Sequence, residues 1–65
     1  MANWSMEEAL RFALKLEEEN FGEYQKSAKE AANPGVRSMF RFLAEEEGKH
    51  IKLIRDKMAQ FNVKP

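Results

Sequence analysis

Cysteine is absent from this 65-residue chain, so neither disulfides nor a thiolate metal site can supplement its core. An excess of charge of either sign is absent too: 11 basic side chains stand against 11 acidic ones, and that balance gives no pointer to nucleic acid. No stretch approaches the ~20 apolar residues that span a bilayer, and the N-terminus lacks a basic segment followed by an apolar run. The chain is therefore expected in the cytoplasm, with no membrane or nucleic-acid partner. Strand signals and internal linkers are missing as well, which leaves one domain over residues 1–65. A chain this short buries too little surface to be comfortably stable alone, and the usual remedies are disulfides, a metal or oligomerisation. With disulfides excluded, the other two remain.

What is present is helical. Ser5-Met6-Glu7-Glu8 reads as a capping box with Ser5 at the N-cap and Glu8 at N3, and Trp4 is placed to pack on Ala9 as a hydrophobic staple. From there Leu10, Ala13, Phe21, Tyr24, Ala28 and Ala31 recur at helical spacing, interrupted on their own stripe only by Glu17 and its neighbour Asn20. Ala32-Asn33-Pro34-Gly35 breaks the pattern. Asn33 suits an N-cap and Pro34 suits the first helical position, where its missing N–H has no partner to lose. The spacing predicts one helix over about 6–31, a turn at 32–34 and a second helix over about 34–61. The stripe of the second helix is Val36, Phe40, Leu43, Glu47, His50, Ile54, Met58 and Phe61.

Two helices of roughly 26 residues, each about 39 Å long, joined by so short a turn must fold back as an antiparallel hairpin. Folding about Asn33 sets residue n level with residue 66 − n. Glu17 then lies beside position 49, bracketed by Glu47 and His50, with apolar layers above and below. Three ionisable residues are thus expected in one layer, on the driest line of both helices, where uncompensated charge is costly. A lone hairpin leaves apolar stripes facing water, and the symmetric remedy is a twofold homodimer forming a four-helix bundle. Two copies each of Glu17, Glu47 and His50 would then give four carboxylates and two imidazoles at mid-height, the ligand complement of a di-iron or di-manganese carboxylate centre. Glu47 and His50, three residues apart, lie on one helix face, and oxygen donors with imidazole suit iron or manganese.

At these positions the chain resembles the ferritin-like superfamily, most closely its rubrerythrin-type members, over nearly its whole length. The motifs that carry the resemblance are Glu17 followed seven residues later by Tyr24, and Glu47-Gly48-Lys49-His50. Glu-x-x-His alone is weak; joined to Glu17–Tyr24, the Asn-Pro turn and the matching register, it is fairly specific. The chain departs from the pattern in carrying each motif once where a full domain carries it twice, so it looks like half a bundle. It also lacks the cysteine-held electron-delivery module, so electrons must come from an external donor. The resemblance implies two iron ions per dimer, with manganese as the other candidate. It makes Glu17 a terminal or chelating ligand, Glu47 a bridge, His50 a terminal ligand, and Tyr24 a hydrogen-bond donor beside the reacting centre. It further implies ferroxidase or peroxide-reducing chemistry, in which two Fe²⁺ are oxidised by dioxygen or hydrogen peroxide.

Each residue also has a plainer explanation. Glu17–Glu19 and Glu45–Glu47 are acidic runs of the kind that usually face solvent, and Glu18, Glu19, Glu45 and Glu46 are assigned there. His50 alone would read as a hydrogen-bonded core residue, and Tyr24 as ordinary core with its hydroxyl at an edge. Gly22 and Gly48 are candidates for close helix contact, while Phe12 and Phe42 fall off the stripe and hint at a homo-oligomer beyond the dimer. The alternative function is a metal-free homodimeric bundle acting as a structural or interaction module. A third is a component that oxidises iron for a larger container.

Overall fold

The computed structural model describes residues 3–65. It contains two helices, α1 (Met6–Glu30) and α2 (Pro34–Gln60), packed as an antiparallel hairpin 43 Å long. Both starts are fixed locally. The Ser5 hydroxyl accepts from the Glu8 N–H, and the Glu8 carboxylate accepts from the Ser5 N–H, each at 3.0 Å. Trp4 lies with its ring 5.0 Å from that of Phe12. At the turn the Asn33 side-chain oxygen accepts from the N–H groups of Gly35 and Val36, at 2.8 and 3.1 Å. Arg37 closes the other side, its guanidinium donating to the carbonyls of Ala31 and Ala32. The helices end one residue short of the sequence expectation, with Ala31 and Phe61 as caps.

The end of α2 folds back in a way the periodicity does not predict. Asn62 adopts φ 57°, the Asn62 N–H donates to the Ala59 carbonyl, and the Val63 N–H donates to Met58 at 2.8 Å. This is a Schellman motif, and its usual apolar contact is present: Val63 joins Leu14 and Met58 in the buried cluster. Met58 is 1% exposed, and burying such a side chain contributes roughly 1.5–3 kcal/mol. Arg11 then ties the tail to α1 through a 3.0 Å bond to the Lys64 carbonyl.

The seam between the helices corrects the expected stripe. Its driest residues are Leu14, Ala28, Ala44 and Met58, with Leu10, Ile51 and Ile54 packed against the cluster. Val36 and Phe61, assigned to the stripe by spacing, are exposed, and so is His50. A run of residues three or four apart covers a band wide enough for two neighbours, and the hairpin fills only one side of it. The residues one position before the seam, Ala9, Ala13 and Leu16 on α1 with Met39, Leu43 and Leu53 on α2, line the other side. At 100° per residue in antiparallel helices, stepping one residue back along each reaches the same face of the hairpin. Leu16, Met39 and Leu53 are exposed there, Leu53 by 63%. Stepping one residue forward reaches the opposite face, which is polar.

Candidate metal centre

The expected layer forms. One donor atom from each of Glu17, Glu47 and His50 lies within 4.8 Å of the others. His50 Nδ1 is 3.4 Å from a Glu17 carboxylate oxygen and 3.8 Å from Glu47 Oε2. Glu47 and His50 occupy one turn of α2, and Glu17 arrives from α1 across the seam. His50 stands one residue beyond position 49, the level that symmetric folding assigns to Glu17, and Glu47 two residues before it, so the two bracket that level as the sequence predicts.

The three side chains differ in exposure. Glu17 and Glu47 are half-buried, with side chains 22% and 15% exposed, while His50 is 54% exposed. His50 stands on the apolar face, one residue before Ile51, so the layer opens toward that face. Glu47 Oε2 is fully buried and has no hydrogen-bond partner. The Glu47 carboxyl is held above its ordinary value. The Glu17 carboxylate beside it favours a proton shared between them, burial disfavours charge, and repulsion from Glu17 adds to both against a smaller pull from His50. The chain has placed two carboxyl groups side by side, with only the exposed His50 to offset them.

That arrangement fits a cation. Donors held about 2.1 Å from one ion lie up to about 4.2 Å apart, so small side-chain rotations would let one ion touch all three. An ion would offset the two adjacent carboxylates and partner the Glu47 oxygen that lacks a hydrogen bond. Carboxylates with one imidazole are the donors of iron and manganese sites.

A comparison with protein families decides the lineage, because the rubrerythrin family model matches residues 8–65. The chain belongs to the rubrerythrin family. Comparisons with curated proteins and with solved structures find no match. Within this rubrerythrin-family chain, Glu17, Glu47 and His50 are the candidate ligands for the di-iron site that the family implies. No helix is long and apolar enough to cross a membrane among the described residues.

The neighbours of the layer are now placed. Tyr24 sits two turns from Glu17, its ring 6.3 Å from Phe40, and makes no hydrogen bond to the three candidates within the hairpin. Glu18 lies on the polar face and bridges the helices through a 2.9 Å bond from Arg55. Glu46 is held below its ordinary value by the hydrogen bond and charge of Lys49. Sequence reasoning overlooked a cluster of basic side chains near the turn. Its signal was available as Lys26 and Lys29 on one helix with Arg37 and Arg41 on the other, both pairs at helical spacing.

Proposed function

We propose that two hairpins pair through their apolar faces about a twofold axis, giving a four-helix bundle whose two Glu17/Glu47/His50 sets hold two iron ions, or manganese in their place. The observation that carries this reading is the buried, unpartnered Glu47 oxygen in a layer that opens onto an apolar face. Position supports it further. Glu17 lies near the midpoint of α1 and Glu47 at the midpoint of α2. A twofold axis perpendicular to the helices exchanges the two ends of the bundle, so only a mid-height layer meets its own copy.

In such a bundle the apolar residues around the layer exclude water and His50 loses its exposure. Glu17, Glu47 and His50 of each chain would hold the metals, the family resemblance making Glu47 the shared carboxylate and Glu17 and His50 the outer ligands, with Tyr24 as a hydrogen-bond donor beside them. When bound, a ferrous pair supplies two electrons to one hydrogen peroxide, which takes up two protons and leaves as two waters; dioxygen is the other acceptor. Repeated turnover draws electrons from an external donor, since the chain carries no cysteine-held cluster.

Metal content and assembly test this together. Protein purified without chelators is expected to be a dimer or larger by light scattering and to hold one iron or manganese per chain. It is then expected to oxidise added Fe²⁺ with peroxide or dioxygen. A metal-free monomer at micromolar concentration that takes up neither metal would refute the reading.

A further inference from the structure

The polar face carries an open groove near the turn, on the side away from the proposed pairing. Phe21, Ala28 and Ala44 floor it, Lys26 and Lys29 flank it on α1, and Arg37 and Arg41 flank it on α2. Gln25 and one carboxylate, Glu45, complete the rim, and a Cβ built at Gly22 would meet nothing within 4 Å. The groove is open to solvent, with a volume of about 980 Å³.

Four basic side chains elsewhere on the hairpin are paired. Arg55 pairs with Glu18, Lys52 with Asp56, Lys49 with Glu46 and Arg11 with Glu7. Lys26, Lys29 and Arg41 have no carboxylate within bridging distance among the described residues, and Arg37 is engaged only by backbone carbonyls. Four basic side chains without a carboxylate partner therefore surround one concavity whose rim holds a single carboxylate, Glu45; Lys15, Lys57 and Lys64 are likewise unpaired but lie outside it. Cations brought together without counter-charge favour an anion, and a mixed Lys and Arg rim suits phosphate. The floor asks for something more. Phe21 lies across α2 with its ring edge 3.8 Å from where a Gly48 Cβ would stand, and the small residues beside it leave room above. An aromatic floor of this kind takes a flat ring.

We propose that this groove binds a phosphorylated planar ring, the chemistry shared by flavin phosphates and purine nucleotides, with the ring over Phe21 and the phosphate among Lys26, Lys29 and Arg41. The proposal is independent of the metal reading, because the groove shares no residue with the candidate ligands.

Nuclear magnetic resonance titration of the full chain tests it, with flavin mononucleotide and adenosine monophosphate as probes. At least one is expected to shift the amides of Phe21, Gly22 and Gln25, and comparing the two tells which ring is preferred. Riboflavin or adenosine, lacking the phosphate, and inorganic phosphate, lacking the ring, are each expected to bind about tenfold more weakly or worse. Lys26→Glu with Lys29→Glu should cost at least about tenfold in affinity, whereas Lys15→Glu with Lys57→Glu, an equal charge change elsewhere, should leave it within about twofold. No shift in that region up to about 1 mM probe, or unchanged affinity in the groove variant, would overturn the proposal. Equal binding of inorganic phosphate alone would remove the ring from it and overturn it as stated.

Discussion

Replacing Glu47 by methionine should change stability in opposite directions with and without metal. In the metal-free protein the side chain leaves a buried oxygen with no partner beside a second carboxylate. Methionine has similar length and helix propensity and no polar atom to satisfy, so Glu47→Met removes a desolvation cost of about 1–3 kcal/mol. In a domain of this size each kcal/mol moves the melting temperature by about 4–8 °C, so the apo variant should melt several degrees above the apo parent. Ferrous or manganous ion reverses the order. An ion held only by the folded assembly at 100 times its dissociation constant adds about 2.7 kcal/mol, or roughly 10–20 °C, to the parent. The variant has lost the Glu47 carboxylate and should show almost none of that gain. The assay is thermal unfolding by circular dichroism, anaerobic for Fe²⁺, at fixed chain concentration, with chelator as the metal-free reference. A parent that melts at the same temperature with and without either metal would refute the metal reading and favour the metal-free bundle. An apo variant that melts below the apo parent would refute the claim that Glu47 is an uncompensated group.

Two further outcomes follow from local structure. Gly22→Ala should stabilise the chain by about 1 kcal/mol, since Gly22 is helical with open space at its Cβ position; a lower unfolding midpoint in urea would show a contact that the hairpin lacks. Glu8 is held below its ordinary value by its bonds to Ser5, so its folded form binds the proton less readily than the unfolded chain. The stabilisation it gives is therefore present at neutral pH, begins to fall as pH enters the ordinary glutamate range near about 4.3, and is lost below the depressed folded value. The melting difference between parent and Glu8→Ala should shrink between pH 7 and pH 3, and a constant difference would contradict the capping box.

The parts of the fold legible in the sequence were those decided by a few neighbouring residues. Ser5 with Glu8, and Asn33 with Pro34, announce helix starts because capping is chemistry over three or four positions. The layer of Glu17, Glu47 and His50 was legible too, since a short turn leaves an antiparallel pair little freedom of register. What was lost was direction around each helix axis. Val36, His50 and Phe61 share a spacing with Met58, yet Met58 lies in the seam and the other three face outward, because one periodic band serves two neighbours. Gly22 reads in sequence like Gly48, and only the packed pair shows that one stands in open space and the other beside Phe21. The Asn62 turn was hidden behind Phe61, which continues the stripe although the helix has already ended.

A hairpin that carries each candidate ligand once has a consequence for how such a centre could be adjusted. Where four helices come from one chain, the two halves can drift apart residue by residue, making one metal position tighter or more exposed than the other. In the proposed pairing of two identical hairpins, a substitution at Glu17, Glu47 or His50 would enter both halves at once. Every change would be doubled, and no single substitution would create a difference between the two positions. It would have to be imposed from outside, by the order in which ions arrive or by a molecule lying on one side of the axis.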